Sequence, residues 1–192
     1  MALAITIKPQ HLVNILNGKK LGEVRKNKSL INAIKKEIAE KGKATIYCIC
    51  SKGGKGLTMS INGYRLAYNN KLGRVFNGKV VCKFECKKIE ELYTGEDGGY
   101  YTDSIQEDDK VEKLSCLDTG DIEEYLNGSI GYFIHISNLT IFDKPKELKE
   151  LKHLIGYWDL GCLERPIYAG LERAPQNFCY IEDTLWNDYL NY

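Results

Sequence analysis

Residues 79–89, KVVCKFECKKI, alternate with a period of two. Val80, Cys82, Phe84 and Cys86 fall on one side, and Val81, Lys83, Glu85 and Lys87 on the other. Such a segment is a strand with one apolar and one charged face. The segments 3–7 (LAITI), 22–26 (GEVRK), 44–50 (ATIYCIC), 131–142 (GYFIHISNLTIF) and 178–182 (FCYIE) also read as extended. Helical spacing appears twice near the start. Pro9 opens a helix that runs over 10–17, with Leu12, Ile15 and Leu16 on one face and Gly18 as its stop. A second helix over 29–41 is introduced by Asn27 or Ser29 and closed by Gly42.

These elements follow no regular βαβ repeat, and no internal repeat or low-complexity tract interrupts them. The natural class is α+β: a small mixed β-barrel of about five or six strands, flanked by short helices. The 192 residues suit one domain, 1–192, with two insertions, 57–76 and 93–128. The first is polar and Gly-rich, with Asn62-Gly63 as a hairpin turn signal inside MSINGYRLAY. The second is acidic and holds a short helix at 121–127. Residues 145–151 read as a helix begun by Pro145, and 152–175 as irregular.

Composition narrows the function classes. No apolar run approaches the roughly 18 residues needed to cross a bilayer. The start, MALAITIKPQ, lacks a charged n-region and a long apolar h-region, so the expected location is the cytoplasm, with no membrane association. An odd number of cysteines, seven, inside apolar runs fits that compartment better than a disulfide framework. The net charge of +1 hides an asymmetry: residues 1–92 carry 19 Lys/Arg against 6 Asp/Glu, and residues 93–192 carry 8 against 20. Either the halves cancel in the fold, or the first presents a basic face to a polyanion.

The segment ITIKPQHLVNILNGKKLGEVRKN resembles the opening of the ASCH family, a strand, a proline turn and a helix followed by G-x-K-x-x-E-x-R. The matching residues are Gly18, Lys20, Glu23 and Arg25. ATIYCICSKGGKG (44–56), NGKVVCKFECKKI (77–89), YFIHISNLTIFDKPKEL (132–148) and RAPQNFCYIE (173–182) are similar to later blocks of that family. The resemblance implies a barrel of the PUA-like class with a cleft near its middle. It also implies association with RNA or modified nucleotides, while the abundance of Asn, Lys, Tyr and Ile points to an AT-rich genome, bacterial or phage. Some relatives hydrolyse acetylated cytidine and others are nucleases. The fold does not choose between these activities.

The residues support several chemistries. Lys20 and Arg25 follow a helix end and can hold a phosphate, while Glu23 can orient the lysine or accept from a base amine. Glu85, flanked by Lys83 and Lys87, can pair with Lys20 for proton transfer in amide hydrolysis. The hydrolase resemblance implies a Lys, a Thr a few residues on and a Glu on a later strand. Lys20 and Glu85 match in kind, and Glu23 stands at the Thr position. Arg173, Gln176 and Asn177, on a loop stiffened by Pro175, can read a base edge or bind phosphate. Lys52 lies in the loop Ser51–Gly56, which can approach a phosphate but lacks the G-K-[ST] of a P-loop. Tyr47, Tyr64, Tyr68, Tyr100 and Tyr101 are stacking candidates that packing also explains.

Cysteine pairs 48/50 and 82/86 have same-face strand spacing, which suits core packing better than zinc, so neither metal nor cofactor is expected. His135 reads as a core histidine. The leading expectation is therefore a domain that binds nucleic acid or nucleotide, RNA before DNA, in a polar cleft. The alternatives are a hydrolase of a modified nucleoside or a weak nuclease, with Lys20, Glu85 and Glu23 as its catalytic groups, and a protein-interaction module using 93–120.

Overall fold

The computed structural model describes residues 1–52, 59–61, 64–66, 76–105, 110–159 and 164–183. The chain opens with β1 (Ala2–Ile7), α1 (Pro9–Leu16), β2 (Gly22–Arg25), α2 (Lys28–Lys41) and β3 (Ala44–Cys50). Pro9 stands in the first turn of α1, where its missing N–H leaves no donor wasted. The Asn27 side chain accepts from the Leu30 N–H at 2.9 Å and starts α2. Gly42, at φ +73°, ends it in the left-handed conformation. β1 and β3 are parallel, and the crossover such a pair requires is the stretch holding both helices and β2.

β4 (Met59–Ile61) and β5 (Tyr64–Leu66) pair as the expected hairpin; its Asn62-Gly63 turn lies outside the described residues. After them come β6 (Val80–Cys86), β7 (Ile89–Glu91), β8 (Tyr93–Thr94), β9 (Tyr100–Tyr101), α3 (Val111–Ser115) and α4 (Thr119–Leu126). The chain continues through β10 (Tyr132–His135), β11 (Ser137–Lys146), β12 (Lys152–Asp159), β13 (Glu164–Gly170) and β14 (Phe178–Ile181).

The architecture is mixed α+β. Seven strands form one sheet in the order β11-β6-β3-β1-β14-β12-β13, and three form a second in the order β2-β10-β7. The edge strands β11 and β13 do not pair with each other, so the expected closed barrel is replaced by an open sheet bent into a second one. The bend lies in a single two-stranded ribbon. β6 pairs with β11 in the large sheet, and their neighbours β7 and β10 pair in the small one. The segment 131–142, expected as one strand, is therefore two, parted at Ile136, whose N–H donates to the Leu21 carbonyl at 2.9 Å.

Two further expectations are corrected. Residues 145–151 do not form a helix: Pro145 lies within β11, which runs on to Lys146, and only a 3-10 turn, Leu148–Glu150, follows. A proline is tolerated there because β11 is an edge strand. Residues 152–159 and 164–170 are not irregular chain but two antiparallel paired strands, β12 and β13. A register shift between Leu154 and Gly156 breaks the alternation, and Pro166 sits in the edge strand β13, so the strand signal was blurred.

Three apolar clusters hold the parts together. Leu3, Ile5, Ile7, Ile46 and Phe84 pack against Ile15 of α1 and Ile31 and Ile34 of α2. On the other face of the large sheet, Ala2, Ala4, Tyr47 and Ile49 meet Leu148, Leu151 and Leu171. Val24 and Phe133 of the small sheet meet Ile105, Val111, Ile122 and Leu126, so the 93–128 insertion folds back onto β2 and β10. No helix among the described residues is long and apolar enough to cross a membrane.

Candidate functional site

Lys20 leaves α1 through a tight exit. Gly18 takes φ +68°, and the N–H groups of Lys19 and Lys20 both donate to the Asn14 carbonyl. The lysine is thereby turned inward to 2% exposure. Its Nζ lies 3.1 Å from Glu23 Oε2 and donates to the Ser115 carbonyl at 2.9 Å. Ser115 ends α3, so the insertion supplies one partner of this lysine. Glu23 and Arg25 share one face of β2, aligned with Ile134 and Tyr132 of β10. Arg25 Nη2 is 2.9 Å from Glu23 Oε1 and donates to the Thr6 carbonyl at 3.1 Å.

The three sequence candidates thus form one buried ionic chain. Burial pushes the Glu23 carboxyl up, but the charges of Lys20 and Arg25 outweigh it and hold the group below the usual carboxylate range. Burial and the Lys20 charge together push His11 down. Arg25 Nε is buried and donates no hydrogen bond among the described residues. Gly22, on the opposite face of β2, lies under the Phe133 ring: a Cβ there would stand 1.8 Å from the ring carbon Cζ.

The third candidate group lies in the open. Arg173, Gln176 and Asn177 line a groove of about 880 Å³ together with His153, Ile155 and Phe178. His153 Nδ1 donates to the Ala169 carbonyl at 2.9 Å, because the carbonyl can only accept, so Nε2 is the ring's remaining polar atom. Thr6 Oγ1 donates to the Pro175 carbonyl at 2.8 Å and pins this loop beside the strand that receives Arg25. Lys20, Glu23 and Arg25 do not line the groove.

Glu85 stands apart from Lys20. It faces out from β6 opposite Thr45 and Ser137, where it pairs with Lys43 and accepts from Asn138 Nδ2 at 2.7 Å. Lys52 is exposed and packs along Gly78, while residues 53–58 lie outside the described residues. Tyr47 is buried against Phe142, and Tyr101 stacks on Tyr93. Tyr64 and Tyr68 lie where no side chain is described.

The sequence reading missed three groups. His153 and Ile155 lay in the segment taken as irregular, and Thr6 looked like an ordinary strand residue. Glu90 was hidden in a charged run. It is 8% exposed and accepts from Ser104 N at 3.0 Å, Ser104 Oγ at 2.5 Å and Lys88 Nζ at 3.0 Å, with His135 Nε2 at 2.5 Å. His135 is thus tied to a carboxylate rather than enclosed in the core.

No family model and no curated protein matches the chain. Among solved structures, a serine-to-alanine mutant of the ASCH protein of Zymomonas mobilis is similar at a TM-score of 0.48 and 12% identity, covering 95% of this chain and 89% of that one. The N-terminal domain of McrB from Staphylothermus marinus is similar at a TM-score of 0.44 and 9% identity, covering 76% of each chain.

Proposed function

We propose that this chain binds nucleic acid or a nucleotide, with RNA the first expectation, in the groove between β12, β13 and the 171–177 loop. The observation that carries the reading is the lining of that groove. Its volume, about 880 Å³, falls in the range of small-ligand clefts. Ile155 and Phe178 give apolar sides for a base, Gln176 and Asn177 give paired donors and acceptors for a base edge, and Arg173 gives a fork for phosphate. The residue-level resemblance to the ASCH family points the same way. In this reading Lys20, Glu23 and Arg25 support the floor, through Thr6, rather than touch the ligand.

The test is fluorescence anisotropy of labelled single-stranded RNA and DNA over a salt series. Arg173→Ala and Asn177→Ala together are expected to weaken binding about tenfold or more, equal to roughly 1.4 kcal/mol. Binding unchanged in this pair, with the fold intact, would place the ligand elsewhere and sink the proposal.

A further inference from the structure

The face of the large sheet that carries Tyr47 and Ile49 is only partly covered. The turn at Leu148 and Leu151, with Leu171, packs over Ala4, Ile49 and Val80. Toward the other end of β3 and β6 the same face is polar; at its margin the Asp183 carbonyl accepts from the Tyr47 hydroxyl at 3.2 Å. Lys43 and Thr45 stand there beside Lys83, Glu85 and Lys87, and β11 adds Asn138 and Thr140. Cα pairing sets Thr45 against Glu85 and Lys83 against Thr140. The Glu85 carboxylate is engaged by Lys43 and Asn138, which with the Lys87 charge hold it below the usual carboxylate range.

Lys83 lies over the Tyr47 ring, 5.4 Å from its centroid, which keeps its ammonium on the sheet surface. Among the described residues, neither Lys83 nor Lys87 has a carboxylate within ion-pair distance. Of the exposed large apolar side chains, Leu21, Tyr93, Tyr125, Ile130, Ile155 and Tyr157 lie away from β3, β6 and β11, and Met1 precedes β1.

We infer that this polar part of the sheet face is a second contact surface, one that tracks the phosphodiester backbone of a nucleic acid. Three lysines against one already-paired glutamate leave a net positive field. Lys83 in β6 and Lys87 just past its end are about 13 Å apart if the chain stays extended, a span of about two phosphates. Thr45, Asn138 and Thr140 add neutral hydrogen-bonding groups that suit phosphate oxygens. Among the described residues, β3, β6 and β11 present no exposed large apolar side chain here, and a protein partner would need such an anchor at the centre of its interface. The surface lies at the β1 start, whereas the groove lies at the β1 end, beside Thr6. It would therefore be reached by a polymer and not by a mononucleotide in the groove. The inference takes only its ligand class from the proposed function.

Charge changes of opposite sign test it. The probes are a fluorescein-labelled single-stranded RNA oligonucleotide, labelled AMP and anionic phospholipid vesicles. The variants are Lys83→Gln with Lys87→Gln, and separately Glu85→Gln, which keeps an acceptor for Lys43. The lysine pair is expected to weaken oligonucleotide binding about fivefold or more and to lower the salt slope by roughly two. Glu85→Gln is expected to tighten it about threefold. Neither should alter binding of AMP.

A lysine pair that leaves both affinity and salt slope unchanged would overturn the inference. So would oligonucleotide binding absent in the wild type at low salt, or Lys83/Lys87-dependent binding to vesicles but not to RNA. Loss of AMP binding in Arg173→Ala with the lysine effect retained would support both sites separately. A lysine effect with no Arg173 or Asn177 effect would support this surface and reject the groove.

Discussion

Thr6 donates its hydroxyl to the Pro175 carbonyl at 2.8 Å, joining residues 169 positions apart in the chain. The same residue's carbonyl receives Arg25 Nη2 at 3.1 Å. One strand residue therefore connects the buried chain Lys20–Glu23–Arg25 to the loop that lines the groove. Thr6→Val keeps the strand and its volume but deletes the donor. The expected cost is about 1 kcal/mol in a denaturant titration, with weakened ligand binding and a protease-sensitive 171–177 loop. Thr6→Ser should restore both. A valine variant that binds as the wild type does would show that the loop needs no such pin.

Glu23 sits between two cations with almost no access to water. Removing its charge strands Lys20 as a buried, uncompensated ammonium. Glu23→Gln should therefore destabilise by about 3–5 kcal/mol, measured by thermal or urea unfolding. The carboxyl is held below its ordinary 4.5, so its stabilisation is complete above that value and lost as pH falls through the lower folded value. The acid limb of the wild-type stability curve should be shallower in Glu23→Gln.

The sheet and helices were legible wherever periodicity was clean. The alternating KVVCKFECKKI became β6, and Asn27 and Gly42 bounded α2 as their chemistry required. Legibility failed where tertiary context overrode local signal. Pro145 reads as a helix start and Pro166 falls in a stretch that reads as irregular, yet both lie on edge strands, where an absent N–H is no loss. For the site, G-x-K-x-x-E-x-R brought out a true cluster, but not its burial. That burial comes from Ser115, contributed by an insertion 95 residues away, and sequence spacing does not encode that contact.

Gly22 is a close-approach glycine. The Phe133 ring occupies the space of its missing side chain, and an added Cβ would meet ring carbons at 1.8 and 2.3 Å. Phe133 is fully buried, so the ring cannot swing into solvent. Gly22→Ala should cost about 1–3 kcal/mol by overpacking, and Gly22→Ala with Phe133→Leu should recover part of it. Additive losses in the double variant would mean that the two positions do not share this space.

The link between Glu90 and Ser104 predicts how the insertion is held. Both the N–H and the hydroxyl of Ser104 donate to the Glu90 carboxylate, which also contacts Lys88 and His135. Burial raises the carboxyl, but the bonds from Ser104, His135 and Lys88 outweigh it and bring it to about 2. A carboxylate lowered in the folded state stabilises fully above its ordinary 4.5, and that contribution fades as pH falls toward 2. Hydrogen exchange at residues 101–104 should therefore be protected near neutral pH and lose that protection progressively between about 4.5 and 2, after correction for intrinsic rates. Glu90→Ala should remove the protection at every pH and lower stability by about 2–3 kcal/mol. An alanine variant with wild-type exchange at Ser104 would mean that the apolar contacts of Ile105 and Val111 hold the insertion without this carboxylate.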